Sequence, residues 1–266
     1  MTMSEGILNS YGYGVQFVRW GESGPKILLL HSMGMDAHSM DLLAGSLQDS
    51  HQILSLSILD HGDSDSPKRP LPLDENSEIM RGCYKQFDFY PNVLIGHSIG
   101  GMIGMILTAK HPTEFQGLVL VDIAPFESTG RPNRPSPPEF FNNEESARAY
   151  IKERYPGFTS EYLNNRMKYC LWRDGDKLKL KPSGSAIRSG MAIDLWPYVT
   201  RIKAPTLLLI GEQSTLVTPE IRKRMEGAMQ DLKTIVVKGT GHMIPQDKPS
   251  EFERIIMGFL KYLQRS

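Results

Sequence analysis

Gly96-His97-Ser98-Ile99-Gly100 is the stretch that decides how this chain folds. Asn92-Val93-Leu94-Ile95 precedes it and reads as a short buried strand. Gly101-Met102-Ile103-Gly104-Met105-Ile106-Leu107 follows and reads as a helix packed closely on a sheet. A lone G-x-S-x-G pattern is weak. Between a strand and a helix it makes a nucleophile elbow. Glycines flank the serine because the turn is strained and two backbones approach closely there. The turn lifts Ser98 Oγ off the sheet, and the helix behind it aims amide N–H groups at a reacting oxygen. Ser98 is therefore the candidate nucleophile.

Outward from this turn, apolar runs alternate with helical patterns, which argues for a mostly parallel sheet covered on both faces. Val15-Gln16-Phe17-Val18 alternates and reads as an edge strand. Buried strands are expected at Ile27 to Leu30, Ile53 to Leu59, Val93 to Ile95, Leu118 to Val121, Leu207 to Ile210 and Thr234 to Val237. Helices are expected near 37–48, 75–87, 99–110, 219–229 and 250–263.

The rhythm breaks between about residues 124 and 200. Gly130-Arg131-Pro132-Asn133-Arg134-Pro135-Ser136-Pro137-Pro138 cannot be a helix interior or a central strand. Helical patterns follow at 144–154 and 159–171, then an Asp174-Gly175-Asp176 turn and the alternating Lys177-Leu178-Lys179-Leu180-Lys181. Unstructured loops of this length are rare in compact domains. The expected organisation is therefore a core of residues 1–125 and 201–266 carrying a cap at 126–200. Trp172, Trp196, Tyr150, Tyr155, Phe140 and Phe141 would line a pocket under that cap or simply pack it. Arg131, Arg134, Arg166 and Arg188 permit an anionic substrate, and a solvated basic face explains them equally well.

The chain has 266 residues, with 30 Lys and Arg balanced by 30 Asp and Glu. That balance leaves no electrostatic footprint for nucleic acid or an anionic membrane surface. No apolar run is long enough for a membrane span. The opening Met1-Thr2-Met3-Ser4-Glu5-Gly6 lacks the pattern of a secretory signal, so a cytoplasmic location is expected. Two cysteines, Cys83 and Cys170, suggest neither a disulfide framework nor a metal site.

Elbow, insertion and a late histidine together resemble the α/β-hydrolase fold over nearly the whole chain. The resemblance implies an eight-stranded, mostly parallel sheet with helices on both faces and a helical cap. In Leu30-His31-Ser32-Met33-Gly34, it makes Met33 the residue whose backbone N–H joins that of Ile99 in an oxyanion hole. His31 is expected to hold the loop by hydrogen bonds. Asp60-His61-Gly62-Asp63-Ser64-Asp65-Ser66-Pro67 resembles a structural turn of the family. His242, in Gly239-Thr240-Gly241-His242-Met243, stands where the family keeps its general base, after the serine and the acid in chain order.

The acid departs from the common pattern. Gly211-Glu212-Gln213-Ser214-Thr215-Leu216-Val217 carries Ser214 in the usual aspartate slot, and a serine cannot supply the charge that stabilises an imidazolium. Asp122 ends the preceding strand, and some family members, including a subset of cofactor-free bacterial hydrolases, place the acid there. Asp122 is the favoured acid, Glu212 the second, and a triad without a working acid the third. Glu212 and Ser214 are expected to contribute little.

The resemblance thus implies a cofactor-free serine hydrolase acting on a small carboxylic ester or lactone through an acyl-enzyme. Hydrolysis of an amide or a carbon–carbon bond is an alternative, as is peroxide-dependent chemistry on the same triad. An inactive or slow-turnover ligand-sensing protein is the rival.

Overall fold

In a computed structural model of the protein, residues 3–126, 137–182, 184 and 194–265 are described. The core sheet uses β1 (Ser4–Ser10), β2 (Tyr13–Trp20), β3 (Lys26–Leu30), β4 (Gln52–Leu56), β5 (Asn92–His97), β6 (Phe115–Val121), β9 (Thr206–Gly211) and β10 (Leu232–Val237). Its strand order is β1-β2-β4-β3-β5-β6-β9-β10. β2 runs antiparallel to both β1 and β4, and every other pairing is parallel.

Alternation along the buried strands builds two cores. Leu28, Leu30, Leu94, Leu118 and Leu120 face one side, where α2 (Leu73–Gln86) and α3 (Ile99–Lys110) pack. Ile27, Leu29, Val93, Ile95 and Val119 face the other, where α1 (Asp41–Leu47) and α9 (Pro249–Leu263) pack. Successive side chains of a strand point to opposite faces, so a strand with both faces covered reads as one unbroken apolar run. No described helix is long and apolar enough to cross a membrane.

Four expectations need correction. Thr234 to Val237 is not a buried strand: it lies in β10, at the far edge of the sheet, with Ile235 and Val236 exposed. Val15 to Val18 belongs to β2, which is paired on both sides; the edge is β1, whose residues are mostly exposed and so carry no apolar signal. The expected strand from Ile53 ends at Leu56, because the chain then turns and the Ile58 N–H donates to His31 Nε2 at 2.9 Å. The expected helix at 37–48 begins as a 3₁₀ turn at Ala37–Met40, where the Asp36 carboxylate accepts the His38 N–H.

The described part of the insertion contains α4 (Glu144–Arg154), α5 (Ser160–Tyr169), a hairpin of β7 (Leu171–Asp174) and β8 (Lys177–Leu180), and α6 (Trp196–Val199). Arg131, Arg134 and Arg188 lie outside the described residues, as does most of the proline-rich stretch. The two stems of the insertion meet where the Leu195 N–H donates to Pro125 O at 2.7 Å.

α5 lies on the loop that follows β3. Arg166 pairs with Asp36, and its second guanidinium nitrogen donates to Gly34 O at 2.9 Å. Asn165 donates to His38 O, and the Tyr169 ring stacks on the His38 ring at 3.5 Å. The Arg166–Asp36 pair is largely withdrawn from water, with Asp36 buried and the Arg166 side chain 12% exposed. Burial is the largest influence on the Asp36 carboxyl and alone would raise it; the Arg166 charge, with His38, His31 and the His38 N–H, together more than offsets burial and leaves the group below its usual range. Breaking such a pair strands a charge without water. Arg166→Met should therefore lower the unfolding free energy by about 3–5 kcal/mol, measured by urea denaturation. Adding Asp36→Asn should recover part of that loss, because no unpaired charge then remains.

Candidate active site

The turn between β5 and α3 holds Ser98 at φ 54° and ψ −116°, a left-handed backbone that a non-glycine residue adopts only under constraint. The constraint is the closeness of helix and sheet. A Cβ on Gly96 would stand 2.4 Å from Gly100 O, and one on Gly100 would stand 2.2 Å from Leu30 O. Only glycine fits at either place. The Gly100 N–H donates to His31 O at 3.2 Å, which sets the loop bearing Met33 beside the first turn of α3. Ile99 is the first residue of that helix, so its N–H has no acceptor within the helix. Ser98 Oγ is buried and has no hydrogen-bond partner.

Asp122 directly follows β6, at φ 47°, and is 0% exposed. His242 lies in the loop after β10. Its Nδ1–H donates to Asp122 Oδ2 at 2.7 Å. That bond leaves Nε2 as the nitrogen with a free lone pair, the form a general base needs. Two further donors reach the same carboxylate. The Gly211 N–H donates to Oδ1 at 3.1 Å, and Ser214 Oγ donates to Oδ2 at 2.6 Å. Glu212 points elsewhere: its carboxylate accepts the Gly239 N–H at 2.9 Å from an exposed position. Of the two candidate acids, Asp122 is the one that touches His242.

Three other buried histidines stand near this end of the sheet, His97 at the end of β5 and His31 and His61 in loops. His97 precedes Ser98, and its Nε2–H donates to His242 O at 2.8 Å. His31 donates from Nδ1 to Ser32 O at 2.8 Å and accepts the Ile58 N–H at Nε2. It therefore holds its loop as expected. His61 donates from Nδ1 to Leu59 O at 2.9 Å. Burial is the main cause that lowers all three; the neighbouring His61 ring also acts on His31, which falls to about 3, and His242 acts on His97. The turn at Asp60 is held by its own bonds, with Ser66 Oγ donating to the Asp60 carboxylate at 2.6 Å.

The aromatics of the insertion divide by contact. Phe141 is buried against Ala147 and Leu178, with Tyr150 beside it, and Trp196 packs on the main core. Phe140 lies under the Lys177 and Lys179 ammonium groups. Trp172 is 47% exposed. Tyr155 alone of the six approaches the β3 loop, with its hydroxyl 3.9 Å from where a Cβ on Gly34 would stand. Arg166 is committed to Asp36 and Gly34. Both cysteines are free and buried, and among the described residues no group of His, Cys, Asp or Glu is arranged to hold a metal.

The sequence reading missed what Ser214, His97 and Arg166 hold. Serine in the aspartate slot was the one available signal, since it stands opposite a second possible acid.

The buried histidines carry a testable pH dependence. Unfolded histidines protonate near pH 6.5, whereas folded His31, His61 and His97 resist protonation. Below that pH the unfolded chain binds more protons, so stability is full above about pH 6.5 and falls as pH drops. Between about pH 7 and 5.5 the loss should be about 1 kcal/mol each for His31 and His97, with His61 adding in the same direction. Urea denaturation at the two values measures it; a pH-independent midpoint would contradict neutral burial.

Comparison with known proteins agrees with this architecture. The model of the "Alpha/beta hydrolase family" matches residues 27–255. A 2-(acetamidomethylene)succinate hydrolase of Mesorhizobium japonicum is 24% identical over 91% of this chain and 90% of its own length. The sn-1-specific diacylglycerol lipase ABHD11 of Mus musculus is 24% identical over 89% of this chain and 81% of its own. The crystal structure of E-2-(acetamidomethylene)succinate hydrolase superposes with a TM-score of 0.88 at 21% identity, covering 98% of this chain and 100% of that one. With a family model spanning most of its length, the chain belongs to the α/β-hydrolase family.

Proposed function

We propose that this protein is a serine hydrolase that cleaves a small carboxylic ester or lactone through an acyl-enzyme, with Ser98 as nucleophile, His242 as base and Asp122 as acid. The observation that carries the reading is the 2.7 Å bond from His242 Nδ1 to a fully buried Asp122 carboxylate, reached from the loop opposite the Ser98 elbow.

His242 Nε2 takes the Ser98 proton as Oγ attacks the carbonyl carbon. The N–H groups of Met33 and Ile99 receive the developing oxyanion; one such donor is worth about 3 kcal/mol. The imidazolium then protonates the leaving group, and water activated by the same histidine releases the acyl group. Asp122 stabilises the imidazolium without taking its proton. The free Ser98 Oγ is compatible with this sequence, since such bonds are often loose before substrate binds and tighten in the complex. No cofactor takes part in these steps.

The insertion serves as a cap over this end of the sheet. Supporting that role, α5 grips Asp36 and Gly34 on the β3 loop, while Lys181 and Gly184 bond Asp63 and Asp60 on the next loop. Hydrolysis of an amide is a second reading, favoured by the likeness to a hydrolase whose named substrate carries an acetamido group.

Ser98→Ala should abolish both ester hydrolysis and labelling by a fluorophosphonate probe. Full labelling of that variant would exclude Ser98, and a wild-type protein that resists labelling would favour the ligand-sensing reading. Asp122→Asn should lower kcat by about 10⁴-fold, and Glu212→Gln should cost little. Tyr155→Ala should change the ratio of kcat/KM across short-chain esters and lactones more than Trp172→Ala does, because Tyr155 borders the Met33 loop and Trp172 faces solvent.

A further inference from the structure

We propose that Ser214 is a positioning residue for Asp122: its hydroxyl donates to the carboxylate oxygen that also receives the His242 Nδ1–H, holding that oxygen aimed at the imidazole. The proposal rests on the reading of Ser98, His242 and Asp122 as a triad.

Asp122 is 0% exposed, so water does not supply its donors. An ionised carboxylate away from water is costly unless protein donors replace the lost hydration. The donors here are unequally placed. Gly211 N–H serves Oδ1 at 3.1 Å. Oδ2 receives both Ser214 Oγ at 2.6 Å and His242 Nδ1 at 2.7 Å. Bonds of this kind favour the charged carboxylate over the neutral acid. The charged form is the one that can stabilise an imidazolium.

The serine is itself oriented. The Leu216 N–H donates to Ser214 Oγ at 3.3 Å, so an Oγ lone pair is used and the hydroxyl proton turns to the carboxylate. The Ser214 N–H donates to Gly211 O at 2.9 Å, closing a turn directly after β9. The neighbouring Gln213 N–H donates to Thr240 O at 2.9 Å, in the loop that carries His242. The turn that presents the hydroxyl is thus tied to the loop that presents the imidazole.

This arrangement accounts for serine in the slot where the fold commonly carries aspartate. With the acid at Asp122, a second carboxylate at 214 would face the first at hydrogen-bond distance, and like charges so placed disfavour ionisation of both. A donor at that place does the reverse. An alanine would leave Oδ2 with the histidine alone.

The test uses p-nitrophenyl acetate turnover and the rate of fluorophosphonate labelling. Ser214→Ala should lower kcat about tenfold, the loss of one hydrogen bond to a charged group, with KM changed less than about twofold. Ser214→Thr, which keeps the hydroxyl, should restore most of the rate. In an Asp122→Asn background, Ser214→Ala should slow labelling by less than about twofold, because its partner charge is already gone. An unimpaired Ser214→Ala variant, equal losses in the Ala and Thr variants, or an undiminished loss in the Asn background would each overturn the proposal. Asp122→Asn at the wild-type rate would instead refute the triad reading itself, and the proposal with it. Asp122→Asn inactive beside an unimpaired Ser214→Ala refutes the role of Ser214 alone.

Discussion

A carboxylate sealed from solvent governs this end of the molecule. Asp122 draws its hydrogen bonds from the end of β9, from the turn after it and from the loop after β10. All of these donors come from 89 to 120 residues further along the chain, and they converge on one buried carboxylate. Leaving such a group unpaired costs several kcal/mol for a buried charge. The His242 loop is gripped a second time. His97 binds its backbone carbonyl while Asp122 binds its ring. Because His97 is the chain neighbour of Ser98, imidazole and elbow are registered to each other without a direct bond between them.

The same logic joins the insertion to the sheet. Helix α5 presents Arg166 to Asp36 in a buried site, and the guanidinium reaches on to Gly34 O. Both partners lie within three residues of Met33. An insertion held this way is not a surface loop resting on the core: part of the β3 loop has its hydrogen bonds completed by it. Its helices therefore bear on the shape of the loop proposed to bind the oxyanion, as well as on what enters above it.

The parts legible in the sequence were those with a local signature. β5, α3 and the elbow carry an apolar run, two glycines and a helical pattern in direct succession, and α3 spans Ile99–Lys110 as expected. Helix α4 follows its helical pattern at 144–154 and spans Glu144–Arg154, with Asn143 capping it in the structure. The strand β1 was illegible because an exposed edge needs no apolar side chains. The Arg166–Asp36 pair was illegible for a different reason: a buried arginine and a solvated one look alike in sequence, and only the distant loop decides between them. Ser214 was half legible. Its failure to be aspartate pointed to Asp122 as the group beside His242, yet nothing in the sequence said that the serine would bond to the carboxylate that replaced it.

The histidines show how one residue type is divided between structure and chemistry by its partners. His31 and His61 donate to backbone carbonyls, and His31 also accepts a backbone N–H, so burial leaves them neutral and fixed in one tautomer. His97 is likewise neutral, spending its proton on the carbonyl of His242. His242 differs in having a carboxylate at Nδ1 and partial exposure, with 30% of its side chain open. A carbonyl acceptor orients a neutral ring, whereas a carboxylate also supports the ring once it becomes a cation. Among these four histidines, the capacity to hold a transferred proton therefore follows from the acceptor each one faces, and the acceptor in turn follows from which strand end delivers Asp122.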